Sequence, residues 1–343
     1  GLVSSDLTWE KASTFNIGLD FTMLNQRLDF SFDWYQRTTS DMLVKVEYPE
    51  VLGTTAPPAN KAELRTRGWE VSVKWNDRIG NDFSYDLGFI LSDSQAEITK
   101  YENPSGTLSD YYVGQKIGEI WGYETEGFYQ SDTDVQNHAD QSKLGANWAP
   151  GDIMYKDLDG NKKINNGSNT LDDHGDLKVI GNTTPRYQYG ITANMSYKNV
   201  YLNVFFQGIG KRDFWPSSQP FWPVATQYYN TQKWFVTDSW SEDNRDAYFA
   251  RPIARETKNQ QKQTKYLQDA SYCRLKNLTV GYDFPKSWLS FLHVAKAGVY
   301  FSAENLFEFT NVKGAYDPEA AGKNGTMVYP FQRTYSFGLN VTF

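Results

Sequence analysis

The stretch Leu28-Asp29-Phe30-Ser31-Phe32-Asp33-Trp34-Tyr35 alternates apolar and polar side chains, and this alternation decides the fold class of the chain. Successive side chains of a β-strand point to opposite faces, so one face of this segment is apolar and the other is polar. The same rhythm recurs over residues 15–22, 69–75, 83–91, 187–195, 202–206, 278–284, 297–301 and 335–343. With a weaker candidate near Gly122–Tyr129, the pattern predicts about ten strands of about nine to eleven residues each.

Two all-β folds alternate in this way: the soluble sandwich and the transmembrane barrel. Sandwich strands most often have about five to six residues, and these segments are longer. Carboxylates such as Asp29 and Asp33 stand in mid-strand, while Trp34, Trp69 and Trp75 stand near strand ends. Ten residues at about 3.3 Å rise and about 40° tilt span about 25 Å, the height of an outer-membrane apolar band. The sequence therefore predicts an all-β, transmembrane antiparallel β-barrel.

The connections between the predicted strands alternate in length. Short turns are expected at Asn25-Gln26, Ile79-Gly80-Asn81 and Lys198-Asn199, and long excursions over Arg37–Arg67, Gln130–Pro185, Gly210–Ser271 and Leu306–Phe331. Membrane barrels place short turns on the periplasmic rim and long loops on the outer rim. We expect Gln130–Pro185 and Gly210–Ser271 to lie outside the cell and to contact a partner protein.

The barrel interpretation fixes which residues share a face. The residues expected to contact lipid are Phe30, Phe32, Leu202, Val204, Phe337 and Leu339. The residues expected to face the lumen are Asp29, Asp33, Asn203 and Asn340. A slip of one residue in register would exchange the two faces. The terminal Phe343 is expected in the aromatic girdle at the periplasmic interface.

Composition sets further bounds. Of the 343 residues, 39% are hydrophobic, 16% aromatic and 22% charged, and no run of about 18 apolar residues suggests a membrane helix. The formal net charge of −7 argues against a nucleic-acid partner, which requires a basic face. The single cysteine, Cys273, excludes an intrachain disulfide. An open sheet edge is costly in lipid, so we expect the chain to be part of a larger barrel.

Several segments, in this order, resemble SusC/RagA-type TonB-dependent outer-membrane transporters of Bacteroidetes. They are Leu7–Lys11 with Asn16–Phe21, Gly151–Ile153 with Asp157–Asn161, Ile180–Gly190, Asn305–Phe307 and Tyr329–Leu339. Each segment alone is weak, but their combination and order are specific and cover the whole chain. The resemblance implies that residues 1–343 are the C-terminal part of a barrel of about 22 strands with long extracellular loops. On this expectation the signal, TonB box, plug and earlier strands are absent from this chain.

The resemblance also implies a function. Members of this family import oligosaccharides or peptides across the outer membrane of a Gram-negative, Bacteroidetes-like bacterium. Import is energised by the TonB complex and uses a SusD-like surface lipoprotein as a partner; outer-membrane lipid surrounds the barrel. A secreted glycan-binding β-sheet protein is the alternative, and a glycoside hydrolase ranks third.

The segment that begins at Asp157 resembles a calcium-binding loop. Oxygen ligands at positions 1, 3 and 5 and a backbone carbonyl at position 7 are how such a loop surrounds a hard cation. Position 6 is Lys162 where glycine is expected, and position 12 is Ser168 rather than an acid. A solvated turn of ordinary composition is the alternative interpretation. The candidate ligands are Asp157, Asp159, Asn161 and Lys163, with Asp172, Asp173 or Asp176 as the closing carboxylate.

An aromatic segment follows in the next long loop. Flat apolar rings with polar edges suit stacking on sugars or contact with peptide side chains. Packing of the long loop against its neighbours is the alternative. The candidate substrate-binding residues are Trp215, Phe221, Trp222, Tyr228 and Tyr229.

No motif supports catalysis. The three histidines, His138, His174 and His293, do not have the spacing of a metal site, and no G-x-S-x-G sequence occurs. We therefore expect no enzymatic activity and no catalytic residues.

Overall fold

A computed structural model describes residues 7–45, 53, 57–218, 221–224, 230–290, 293–314, 316–321 and 331–343. In these residues, nine strands form one large antiparallel sheet. In spatial order these strands are β1 (Lys11–Met23), β2 (Leu28–Val44), β3 (Ala59–Ile79), β4 (Phe83–Lys100), β9 (Arg186–Tyr197), β10 (Val200–Lys211), β13 (Tyr272–Asp283), β14 (Lys296–Thr310) and β15 (Thr334–Thr342).

Six shorter strands lie in the long connections. They pair as β5 (Glu119–Tyr123) with β8 (Leu177–Asn182), β6 (Thr125–Phe128) with β7 (Ile153–Tyr155), and β11 (Asp213–Phe214) with β12 (Gln268–Asp269). The described helices are short, namely α1 (Asp132–Asn137), α2 (Lys233–Thr237) and α3 (Lys286–Leu289). None of the helices in the described ranges is long and apolar enough to cross a membrane.

The strand register confirms the predicted division into two faces. Leu202 pairs with Met195 on one side and Val280 on the other, and the next residue, Asn203, pairs with Asn194 and Thr279. Apolar and polar rows therefore alternate across the sheet. When the pairs are followed from β2 to β15, the six residues expected to contact lipid share one face and the four expected in the lumen share the other.

The sheet is curved, with its polar face on the concave side. A cavity of about 970 Å³ on this face is lined by residues that extend from β3 to β15, among them Asn76, Asp86, Asn203, Asp283 and Asn340. A flat sheet could not enclose space between strands so far apart in the strand order. The curvature is that of a barrel wall, and the soluble sandwich alternative is wrong.

Two details of the strand prediction are wrong. The weak candidate near Gly122–Tyr129 forms β5 and β6, which pair outside the large sheet. The expected excursion Arg37–Arg67 is mostly strand, because β2 continues to Val44 and β3 begins at Ala59. Strands β2, β3 and β4 have 17, 21 and 18 residues, well beyond the expected length. The strands are longer because β2, β3 and β4 stay paired beyond the apolar band, where their polar side chains contact water.

Short turns and long loops lie on opposite rims. Consecutive strands of the sheet are antiparallel neighbours, so alternate connections leave opposite ends. The connections β1–β2, β3–β4, β9–β10 and β13–β14 leave the strands at one rim, and the longer connections β2–β3, β4–β9, β10–β13 and β14–β15 leave them at the other. This confirms the predicted separation of the rims. Phe343 follows β15 on the short-turn rim and is 92% exposed.

The larger hydrophobic cluster of the described residues lies in the long connections, and buried apolar side chains of the large sheet, such as Ile98, Leu275 and Ala303, are not part of it. Its fully buried side chains include Ile153, Tyr155, Ile164 and Tyr266, each 0% exposed, and all four belong to residues 101–185 or 212–271. In β1, by contrast, every residue but one is exposed. We refer to the described residues of 101–185 and 212–271 as the loop module.

Candidate functional site: the loop module and the lumen wall

The loop module is a packed unit on the long-loop rim. Its aromatic core joins the two loops: Tyr155 lies beside Tyr123 in the first loop, and its hydroxyl donates to the carbonyl of Lys258 in the second, at 2.7 Å. The backbone N–H of Ala250 donates to the Tyr266 hydroxyl at 2.7 Å. Because the polar edges of these buried rings are hydrogen-bonded, the core can be aromatic without unsatisfied hydroxyls.

The predicted aromatic residues lie partly in this core. Phe221 is 1% exposed, and its ring centroid lies 4.8 Å from that of Trp222 and 5.3 Å from that of Phe249. Trp215 is partly buried and packs on the same cluster. Such positions agree with the packing alternative for these three residues. Tyr228 and Tyr229 lie outside the described residues, and substrate contact by the segment stays a prediction.

A buried ionic cluster ties the two loops together. Asp152 follows Gly151 in the first loop and is 0% exposed. Arg251 of the second loop donates from Nε to Asp152 Oδ1 at 2.8 Å and from Nη2 to Oδ2 at 2.9 Å. Asn259 Nδ2 donates to Oδ1 at 2.9 Å, and the backbone N–H of Ala149 donates to Oδ2 at 3.0 Å. The carboxylate is thus fully satisfied, as a buried charge must be.

Lys258 completes the cluster from the second loop. The side chain is 2% exposed, and its Nζ lies 2.9 Å from Asp152 Oδ2. It also donates to the carbonyls of Ala146 and Asn147 at 2.9 and 2.8 Å. Burial alone would raise the pKa of Asp152, but the hydrogen bonds from Arg251 and its neighbours outweigh burial and lower that pKa. The carboxylate is therefore ionised at neutral pH and holds both cations.

The backbone of the predicted cation loop turns tightly around the Asp157 carboxylate. Asp157 accepts from the backbone N–H groups of Gly160 and Lys162, both at 2.8 Å. Lys162 has φ +61°, the left-handed conformation that favours glycine at position 6. The non-glycine residue therefore costs conformational energy but does not prevent the turn. These hydrogen bonds lower the pKa of Asp157 although burial opposes them.

The carboxylates that converge differ in part from those favoured by the sequence. Oxygen atoms of Asp157, Asp159 and Asp176 lie within 4.8 Å of one another, and among the described residues these three form the candidate metal group. Asp176 is 0% exposed and accepts from the backbone N–H groups of Leu158 and Asn165, at 2.8 and 2.9 Å. Asp172 and Asp173 are not members of this group of carboxylates, and Asn161 and Lys163 were predicted to contribute an amide oxygen and a backbone carbonyl rather than a carboxylate.

The other predicted ligands have local roles in the loop. Asn161 Oδ1 accepts from the backbone N–H of Lys163 at 2.7 Å. Asp173 Oδ2 accepts from the Ser168 backbone N–H at 2.9 Å and from its hydroxyl at 2.6 Å. Asp172 is exposed. Of the three carboxylates considered for the closing position, Asp176 is the one that converges with Asp157 and Asp159 in the described residues, and cation binding stays a prediction.

A second ionic cluster fixes the last long loop to the sheet. Arg274 of β13 is 1% exposed, with Nη2 2.6 Å from Asp317 Oδ2 and Nη1 2.6 Å from Glu319 Oε1. Lys276 reaches the same Glu319 oxygen at 3.1 Å. Segment 316–321 is therefore anchored to the lumen wall beside the loop module, against which Tyr316 also packs.

Sequence reasoning did not identify Arg251, Lys258 or Arg274. Each is a lone basic residue without a spacing pattern, and its acidic partner is distant in sequence. The one available signal was the Gly151–Ile153 segment. It contributed to the family resemblance, but it did not indicate that Asp152 is the centre of an ionic cluster.

The curved antiparallel sheet, its polar concave face and its separated rims define an outer-membrane β-barrel protein. The comparison with protein families agrees: residues 2–306 match the family described as TonB dependent receptor-like, beta-barrel, and the chain belongs to this family. The recognised SusC/RagA resemblance is confirmed. Proteins of this family lie in the outer membrane of Bacteroidetes, as predicted.

Named relatives support the assignment. The chain is 30% identical to TonB-dependent receptor P3 of Formosa agariphila over 366 residues, which cover 99% of this chain and 35% of the relative. It is 27% identical to TonB-dependent receptor SusC of Bacteroides thetaiotaomicron, over 99% of this chain and 32% of SusC. The chain spans about a third of the length of the curated relatives it matches.

Solved structures give the same result. The structure of the RagAB peptide transporter superimposes with a TM-score of 0.72 at 25% identity, covering 98% of this chain and 36% of that chain. The RagAB peptide importer in the 'open-open' state gives a TM-score of 0.73 with 98% of this chain covered and 35% of that chain.

Proposed function

We propose that the protein containing this chain imports oligosaccharides or peptides across the outer membrane, energised by TonB. The observation that carries the proposal is the curved wall of the TonB-dependent receptor family, with a polar concave face and a packed loop module on one rim. Import needs a hydrophilic path through the membrane, and a polar lumen supplies one. The structural match to the RagAB peptide transporter supports the peptide class, and the match to TonB-dependent receptor SusC supports TonB-dependent import in general.

The lumen wall is suited to polar solutes. Around the cavity of about 970 Å³, amide side chains from three strands, Asn194, Asn203 and Asn340, alternate with charged groups such as Asp86 and Lys296. Amides both donate and accept hydrogen bonds, so they exchange partners with hydroxyl-rich or peptide solutes without a large desolvation cost.

The loop module is proposed as the docking surface of a SusD-like lipoprotein. A partner needs a surface that holds its shape, and the buried cluster around Asp152 gives the two longest loops a common rigid core. The structural match to the RagAB peptide transporter supports such a partner. The TonB complex would act through parts of the protein outside this chain.

A calcium ion in the loop at Asp157 is part of the proposal. Asp157, Asp159 and Asp176 would supply carboxylate oxygens, and Asn161 and the Lys163 carbonyl fit positions 5 and 7 of a calcium loop. The ion's role would be structural, to fix the first loop of the module. Oxygen-only donors on a flexible loop favour calcium over magnesium.

Whole-cell accumulation tests the import proposal. The full-length protein is expressed in a Bacteroidetes host that lacks it, and cells receive either a fluorescent oligosaccharide pool or a fluorescent oligopeptide pool. We expect accumulation of one pool, and its loss when the host's TonB gene is deleted. Accumulation of neither pool, or equal accumulation without TonB, would contradict the proposal. Co-purification of a lipoprotein with the protein tests the partner separately.

A further inference from the structure

We propose that Arg67, on the outward face of the sheet, binds a phosphate group of lipid A in the outer leaflet of the membrane. The inference uses the barrel orientation alone and does not depend on what is imported. It begins with the rows of side chains that cross β2, β3 and β4.

The apolar band ends sharply on these three strands. Phe32, Val71 and Leu91 pair across the strands as an apolar row, and Trp34, Trp69 and Asp93 form the row above it. Tryptophan is enriched where a membrane meets water, so this row marks the interface on the long-loop rim.

Arg67 belongs to the next row outward. Gln36, Arg67 and Gln95 pair directly across the three strands. Two residues along a strand are about 6.6 Å, so Arg67 lies about one head-group layer beyond Trp69 on the same face. The phosphates of lipid A lie at this boundary, because they belong to the polar head group that borders the acyl chains.

Among the described residues of these rows, Arg65 and Arg186 are paired with carboxylates, whereas Arg67 is not. At the interface row Arg186 pairs with Asp93, with Nη2 2.6 Å from Oδ2. One row further out, Arg65 Nη2 lies 3.3 Å from Glu97 Oε2. These pairs neutralise the nearby carboxylates.

The guanidinium of Arg67 is held at one side and free at the other. Its Nε donates to Gln36 Oε1 at 2.8 Å, and the side chain is exposed. Within the described ranges, Nη1 and Nη2 have no hydrogen bond or ion pair. A guanidinium with two free NH2 groups matches the oxygens of a phosphate monoester, and its charge complements that anion. The amides of Gln36 and Gln95 beside it add neutral hydrogen-bonding groups.

Titration of the detergent-purified, full-length protein with lipid A tests the proposal, with native mass spectrometry as the readout. Arg67→Gln should weaken binding of bisphosphorylated lipid A about fivefold, the effect of one basic residue near an anionic surface. Arg37→Gln is the matched control, because Arg37 is also exposed but pairs with Thr66 on the lumen face of the same two strands. It should leave binding unchanged.

Two further arms identify the ligand. Dephosphorylated lipid A should bind the wild type and Arg67→Gln equally, and inorganic phosphate should not compete with lipid A. Equal binding of phosphorylated lipid A by wild type and Arg67→Gln would overturn the proposal, and so would an equal loss in Arg37→Gln. Competition by inorganic phosphate would also overturn it, because the site would then recognise a free anion.

Discussion

Lys258 Nζ lies 2.9 Å from Asp152 Oδ2, although the two residues belong to different long loops and are 2% and 0% exposed at their side chains. The pair joins residues 101–185 to 212–271 at the centre of the loop module. A buried pair of this kind fixes the position of one loop against the other, because each buried charge is unfavourable without its partner.

Asp152→Asn should loosen the loop module. The substitution keeps the shape of the side chain but leaves Lys258 and Arg251 without their counter-charge, at a cost of about 3–5 kcal/mol. Hydrogen–deuterium exchange of the full-length protein should show faster exchange over residues 150–156. Glu242→Gln is the control, because its ion pair with Arg245 lies at an exposed surface; surface pairs contribute about 0–1 kcal/mol. Unchanged exchange in Asp152→Asn would show that the pair does not fix the loops.

The same carboxylate predicts a dependence on pH. The pKa of Asp152 is lowered in the folded state. Its contribution to stability is therefore fully present above the unfolded value of about 3.9 and is lost as pH falls through the folded value. Protection of residues 150–156, corrected for intrinsic exchange rates, should decrease below about pH 4. The decrease should be smaller in Asp152→Asn, and an identical pH profile in the variant would count against this assignment.

The cation loop gives a prediction in two directions. Asp176→Asn should weaken calcium binding, because it removes the buried carboxylate of the converging group. Lys162→Gly should strengthen binding, because glycine adopts φ +61° without the cost of about 1–2 kcal/mol that a side chain incurs there. Terbium luminescence of the full-length protein measures both effects.

Asp172→Asn is the matched control for the calcium experiment. Asp172 is exposed and lies outside the converging group. If Asp172→Asn weakened terbium binding as much as Asp176→Asn, the loop would close on a different carboxylate from the one assigned here.

The lumen face contains close tyrosine–glycine contacts that fix the register. Tyr201 pairs directly with Gly281, and a Cβ added to Gly281 would overlap the tyrosine ring. Gly281→Ala should therefore destabilise the barrel by about 1–3 kcal/mol through overpacking. The urea midpoint of the full-length barrel in lipid vesicles measures the loss. In the Tyr201→Ala background the same substitution should cost little, and an equal cost in both backgrounds would contradict the ring contact.

The sheet could be predicted from the sequence because its signal is local. The alternation around Phe30 and Phe32 requires only that successive side chains take opposite faces, and the short turn at Asn25-Gln26 limits the pairing register. The extension of β2 and β3 beyond Trp34 and Trp69 could not be predicted, because outside the membrane both faces are polar and the alternation disappears.

The loop module could be predicted only in part. The Asp157 loop has a compact spacing that indicates a cation site. Which later carboxylate lies beside Asp157 depends on how the chain folds back, and the spacing does not indicate that this residue is Asp176. The buried roles of Phe221 and Lys258 depend on contacts between two loops about a hundred residues apart in sequence, and no periodic pattern indicates such contacts.

We expect the loop module to stand on the cell surface and the short turns to face the periplasm. Single cysteines at Lys143→Cys in the loop module and Asn81→Cys in a short turn, both exposed positions, test it in a Cys273→Ser background. Intact cells are treated with a membrane-impermeant maleimide. We expect labelling of Lys143→Cys in intact cells and labelling of Asn81→Cys only after the outer membrane is permeabilised. Labelling of Asn81→Cys in intact cells, with Lys143→Cys protected, would contradict this expectation.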